Sequence, residues 1–183
     1  MDFDDGKIEI QENVFLTFDV ADESYGIDIR HVTEIIRLVK ITPIPEVYDA
    51  IKGVINLRGK IIPVMDIRLR IGLQEREYDD RSCVIVMNAT KQIESGVLKN
   101  QNQGQNQNQN FDNKGVDIGI IVDRVSEVLE IPKERMEPAP KVGEQRFVFA
   151  LGKMNEKIKI LLDINKLLFD FFADKTTEIK RAI

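Results

Sequence analysis

A chain of 183 residues with 43% hydrophobic and 31% charged side chains has the composition of a globular protein, large enough for one domain or for two small ones that share a core. Its net charge of −5, with Lys52, Arg58, Lys60, Arg68 and Arg70 scattered singly, excludes a broad grip on a nucleic-acid backbone. The single cysteine, Cys83, excludes an internal disulfide, no apolar run approaches the ~20 residues of a membrane span, and the acidic start Met1-Asp2-Phe3-Asp4-Asp5 lacks a secretory signal, so a cytoplasmic protein without membrane insertion is expected.

Residues 1–13 read as a flexible N-terminus. Short strands then dominate. In 14–20, Val14, Leu16, Phe18 and Val20 alternate with Thr17 and Asp19, and in 25–29 Tyr25, Ile27 and Ile29 alternate with Gly26 and Asp28. Such period-two patterns predict strands with one buried face. After Asp28, a good N-cap, the spacing of Val32, Ile35 and Ile36 predicts a short helix over 29–37. Further strands are predicted at 53–57, 60–66, 83–89, 116–122, 124–131, 146–151 and 157–163, punctuated by Gly, Pro, Asn and Asp. A single helical turn is expected after Pro132. A C-terminal helix is expected over 164–173, where Ile164, Leu167, Leu168, Phe171 and Phe172 form an apolar stripe, followed by a fraying tail at 174–183. The run NQNQGQNQNQN at 100–110 offers no apolar side chain to offset the entropy of ordering, so 94–114 reads as a disordered inserted loop. A self-associating Gln/Asn ladder is the alternative.

Two patterns recur in the same order. Val32-Thr33-Glu34-Ile35-Ile36 is echoed by Val125-Ser126-Glu127-Val128-Leu129, and Ile61-Ile62-Pro63-Val64-Met65-Asp66-Ile67 by Ile158-Lys159-Ile160-Leu161-Leu162-Asp163-Ile164. Similar offsets for two motifs indicate a duplicated unit of about five strands. Five short strands curl readily into a small barrel, because closure removes exposed edges. The expected architecture is all-β: two small barrels packed together over 14–173, in approximate halves 14–82 and 83–163 between which strands can exchange, with short helices and the C-terminal helix.

The chain carries little that could do chemistry. Its only histidine, His31, has no evident acid, base or metal partner, and Cys83 lies in the apolar strand Cys83-Val84-Ile85-Val86-Met87, where a buried thiol is inert. A thiol enzyme is the competing reading, and rapid thiol labelling in the native state would support it. No metal-ligand spacing is present, and Asp79-Asp80 reads as a turn. The run Gly53-Val54-Ile55-Asn56-Leu57-Arg58-Gly59-Lys60-Ile61 has the wrong spacing and bulk for a phosphate loop. It reads as a hairpin turning at Arg58-Gly59, with Gly59 at positive φ. No cofactor, metal or catalysis is expected, which leaves binding surfaces as the function.

At these same residues the chain resembles the CheW family. The matching segments are Phe15–Val20, Tyr25–Ile29, Val32–Ile35, Gly53–Gly59, Ile62–Asp66, Gly119–Leu129, Pro138–Pro140 and Ile160–Leu168, with Gly53-Val54-Ile55-Asn56-Leu57-Arg58-Gly59 the most specific. The resemblance implies two SH3-like five-stranded barrels with a groove between them. It also implies a non-catalytic adaptor that couples the cytoplasmic hairpin tip of methyl-accepting chemoreceptors to the regulatory domain of the histidine kinase CheA. Carried over by position, the receptor-facing residues would be Val32, Glu34, Gly53, Arg58, Gly119, Val125 and Val128. The kinase-facing ones would be Met136, Glu137, Pro138 and Val142. A second binding reading is the CheW-like end of a larger signalling protein. The Gln/Asn tract departs from the family, which joins those strands by a tight turn.

Overall fold

The computed structural model describes residues 12–89, 116–140 and 146–168. The expected loop at 94–114, the tail at 174–183, most of the N-terminus, residues 169–173 of the C-terminal helix and Val142 lie outside the described residues. The strands are β1 (Val14–Val20), β2 (Glu23–Asp28), β3 (Val32–Arg37), β4 (Ile51–Leu57), β5 (Lys60–Asp66), β6 (Cys83–Ala89), β7 (Val116–Val122), β8 (Arg124–Glu130), β9 (Met136–Pro138), β10 (Val148–Met154) and β11 (Lys157–Leu162). A short helix, α1 (Ile67–Arg70), follows β5, and a second, α2, spans 164–168 after β11.

The strands form two sheets, ordered β8-β1-β2-β11-β10-β9 and β3-β6-β7-β5-β4. The first draws on both ends of the chain and is called here the terminal barrel; the second is the central barrel. The echoed motifs fall on equivalent strands: β3 and β8 stand first in their sheets, and β5 and β11 fourth. Each also runs parallel to one neighbour, β5 to β7 and β11 to β2. The halves 14–82 and 83–163 are therefore repeats but not barrels. Each repeat gives its leading hairpin, β1–β2 or β6–β7, to the sheet completed by the other.

Each sheet curls until the chain following its first strand meets the far edge. In the central barrel, the segment after β3 reaches β4, where Thr42 and Val54 exchange backbone hydrogen bonds of 2.8 and 2.9 Å. In the terminal barrel, the run from β8 bends through a 3₁₀ turn at Lys133–Arg135, as expected after Pro132, and returns as β9 against β10. Among the described residues this gives three buried clusters. One is shared between the barrels and includes Leu16, Phe18 and Ile27 from one side and Met65, Ile85 and Ile120 from the other. The second lies inside the central barrel (Ile55, Ile62, Val64, Val84, Val86, Ile121), and the third inside the terminal barrel (Phe15, Ile131, Ala150, Leu161).

Several expectations are corrected. Strand β1 is buried on both faces: Leu16 and Phe18 enter the shared core, while Phe15 packs inside its own barrel. Thr17 is fully buried at a register shift against β8. Its hydroxyl donates to Glu127 O (2.8 Å) and accepts from Glu127 N (3.2 Å), supplying the bonds that the interrupted ladder leaves open. The helix expected over 29–37 is a 3₁₀ turn at Ile29–His31, capped by Asp28, followed by strand β3. Val32, Thr33, Ile35 and Ile36 are β-branched, and β3 pairs with β6, so strand pairing prevails over the helical spacing. Strand β10 begins at Val148 rather than 146, and neither β9 nor α1 was evident in the periodicity.

The hairpin turn at Arg58-Gly59 forms as expected, with φ of 52° and 85°; both residues are left-handed, as a primed two-residue turn requires. Gly53 has a different task. At φ 137° it admits the returning chain, and a Cβ there would overlap the Thr42 carbonyl and lie 2.9 Å from Pro43 Cα. Gly119 is buried inside the central barrel, where a Cβ would stand 2.6 Å from Val84 Cγ1 and 2.9 Å from Val64 Cγ1. Gly53→Ala is expected to destabilise the partner-free protein by about 2–4 kcal/mol through backbone strain, and Gly119→Ala by about 1–3 kcal/mol through overpacking. Urea unfolding measures both, and an unchanged midpoint for either variant would refute its structural role.

Candidate functional site: the β3 and β8 edges

The two edge strands carry four of the seven receptor-facing positions suggested by sequence. On β3, Val32 is half-buried against the shared core, Glu34 is half-buried, and the residue between them and Ile36, Ile35, stands 42% exposed. On β8, Val125 is half-buried against the same core, and Val128 is 54% exposed. The duplication matches Val32 with Val125, Glu34 with Glu127 and Ile35 with Val128. The edges thus present the same pattern twice: a valine rooted in the shared core and an aliphatic side chain held out in solvent. Ile35 is not among the positions that the sequence singles out; its exposure and its equivalence to Val128 set it beside them.

Arg58 sits at the tip of the β4–β5 hairpin and is 78% exposed on its side chain. Its guanidinium donates to Glu34 Oε1 at 2.6 Å, which brings the hairpin tip to the opposite edge of the same sheet. Asn56 Oδ1 accepts from Gly59 N at 2.9 Å and steadies the turn. The structure therefore brings Val32, Glu34 and Arg58 together on the central barrel and places Val125 and Val128 on the matching edge of the terminal barrel. Gly53 and Gly119 do not join them. Both are buried, and the close approach their missing side chains permit is to the chain's own Thr42–Pro43 backbone and to Val64 and Val84.

Of the residues assigned to the kinase, Met136 is half-buried and Glu137 and Pro138 are exposed on β9. Glu137 accepts from Lys153 Nζ at 2.6 Å across the β9–β10 pair. These residues lie at the far edge of the terminal sheet from β8.

Two carboxylates elsewhere, Asp19 and Asp28, are committed to structure. Burial works to raise the pKa of Asp19, but hydrogen bonds from Arg124 and Ser24 and the Arg124 charge outweigh it and hold the carboxyl below its ordinary value. Asp28 behaves likewise: burial opposes ionisation, and the Arg30 side chain and backbone N–H overcome it. Asp19 also lines an open polar cavity of about 700 Å³ with Ser24, Arg124, Glu127, Glu156 and Lys159. Its walls mix both charge signs.

Cys83 is half-buried rather than buried, and its Sγ lies 3.1 Å from Arg81 O. His31, also half-buried, lines a different depression with Phe15, Arg30, Met136 and Phe149. Among the described residues, no group of three or more His, Cys, Asp or Glu side chains is placed to hold a metal ion. No described helix is long and apolar enough to cross a membrane.

Comparison with known proteins agrees with this geometry. Residues 14–171 match the CheW-like domain family. The chain is 36% identical over 157 residues to the chemotaxis protein CheW of Klebsiella aerogenes, covering 84% of this chain and 80% of that protein. It is 29% identical over 157 residues to the CheW of Bacillus subtilis, covering 84% and 85%. Among solved structures, the scaffolding protein TtCheW of Thermoanaerobacter tengcongensis superposes with a TM-score of 0.67 at 34% identity, over 85% of this chain and 92% of that one. With its duplicated strands, paired barrels and matching sequence, the chain belongs to the CheW family of non-catalytic chemotaxis scaffold proteins.

Proposed function

We propose that this protein couples the cytoplasmic hairpin tip of methyl-accepting chemoreceptors to the regulatory domain of the histidine kinase CheA, acting in the cytoplasm at receptor arrays. The observation that carries this reading is the repeated edge pattern. Ile35 and Val128 stand in solvent on equivalent strands, while Val32 and Val125 beside them are rooted in one shared core. A rigid pair of apolar rails suits a helical hairpin, which docks an apolar stripe and reads charge at the rim. Arg58 and Glu34 supply that rim on the central barrel. Gly53 and Gly119 act through barrel shape alone.

The kinase contact is assigned to β9, where Met136, Glu137 and Pro138 form a short outer strand, continuing into the segment that holds Val142. Receptor and kinase would then contact different strands of the terminal barrel, β8 and β9.

Two experiments test this. Mixing the protein with a receptor cytoplasmic fragment and the kinase is expected to yield a ternary complex by co-purification. Recovery of neither partner at micromolar concentration would refute the adaptor reading. Arg58→Glu is expected to leave stability within about 1 kcal/mol of the native protein, because the lost ion pair is exposed. Receptor affinity, measured by titration, should fall roughly tenfold. Unchanged affinity would confine Arg58 to the hairpin turn.

A further inference from the structure

Helix α1 is one turn long, yet it carries two arginines, Arg68 and Arg70, that both reach out of the central barrel into the terminal one. The Arg68 side chain is 9% exposed and ion-pairs with Asp123, the single residue between β7 and β8 where the chain passes from one barrel to the other. The same carboxylate oxygen accepts from Ala21 N (2.8 Å) at the β1–β2 turn, and Asp123 N donates to Asp19 O at 3.2 Å. Ala21 is held left-handed at φ 56°, a conformation that an L-residue keeps only when its surroundings impose it. Arg70 leaves α1 in another direction. Its Nε donates to Leu167 O of α2 at 2.9 Å, and its guanidinium lies 4.4 Å from the centroid of the Phe147 ring.

The base of α1 is itself anchored. Asp66 caps it, accepting from Arg68 N at 2.9 Å, and Tyr78 in the segment joining the repeats donates to the other Asp66 oxygen at 2.9 Å. Burial, and then the hydrogen bond to Asp66, push the Tyr78 pKa well above its ordinary value, so the phenol keeps its proton and donates. The duplicated copy keeps the capping carboxylate as Asp163, which accepts from Lys166 N, but at the echo's offset Asn165 and Leu167 stand where α1 has Arg68 and Arg70.

A buried ion pair adds little net stability over an apolar replacement of similar volume. Apolar contacts in the shared core favour burial without fixing an angle. Directional bonds across the junction do fix one. We propose that α1 is a bracket that sets the angle between the two barrels, with Arg68 and Arg70 as positioning residues. Because Asp123 leads directly into β8, the bracket also sets how β8 and its Val125 and Val128 stand relative to β3. This second consequence rests on the adaptor reading; the first does not.

The test uses the full chain carrying Arg68→Met, Arg70→Met or both, with residual dipolar couplings measured separately for each barrel. In the native protein one alignment tensor should fit both barrels. In the double variant each barrel should still fit its own tensor, but the two tensors should diverge, and affinity for a receptor cytoplasmic fragment should fall about 3- to 30-fold. Arg68→Lys, which keeps the charge, should restore much of the common tensor. One tensor fitting both barrels of the double variant would overturn the bracket. Diverging tensors with unchanged receptor affinity would overturn its link to binding. Diverging tensors in a chain whose native form does not bind the receptor would leave the bracket standing and remove the adaptor reading. If the double variant does not fold, Arg70→Met alone keeps the ion pair and decides by the same comparison.

Discussion

Each repeat of this chain gives its first hairpin to the other repeat's sheet, and the rest of the molecule follows from that exchange. The hairpin strands β1, β2, β6 and β7 become the middle of their sheets, with one face turned to the partner barrel and the other to the interior of their own. A fully buried Leu, Ile or Phe contributes about 1.5–3 kcal/mol, whereas an exposed ion pair contributes about 0–1 kcal/mol. The shared cluster that includes Leu16, Phe18, Ile27, Met65, Ile85 and Ile120 therefore governs stability, and the surface charges Arg30, Arg58 and Arg124 govern local geometry. Neither barrel is complete without strands from both repeats.

The proposed adaptor function draws on what the exchange leaves at the edges. With the hairpins inside, β3 and β8 become the first strands of the two sheets and face outward with the same sequence pattern. The two copies of the motif divide the work alike: Val32 and Val125 hold the strands to the core, and Ile35 and Val128 stay exposed. The asymmetry between barrels comes from small additions, namely the Arg58–Glu34 pair on one side and the arginines of α1 at the junction.

Much of this was legible in the sequence, because period-two alternation and a duplicated motif are strong local signals. The echo of 61–67 in 158–164 marks β5 and β11 as equivalent strands. What escaped was set by contacts distant in sequence. Thr17 reads as a solvent-side residue until the β1–β8 register shift turns it toward Glu127. Val32, Ile35 and Ile36 fit a helix as well as a strand until β6 pairs with them. The packing demand at Gly53 is invisible until barrel closure brings Thr42 and Pro43 against it. Of the positions that resemblance suggests for the receptor, Gly53 and Gly119 are buried, whereas Ile35, matched by duplication to Val128, is exposed.

Native-state hydrogen exchange tests the exchanged-hairpin account most directly. Amides of β1 and β2 in the terminal barrel and of β6 and β7 in the central barrel are expected to share one opening free energy, equal to that of global unfolding. Two separate plateaus, one for each barrel, would mean that the barrels unfold independently and that the shared core does not hold the molecule together.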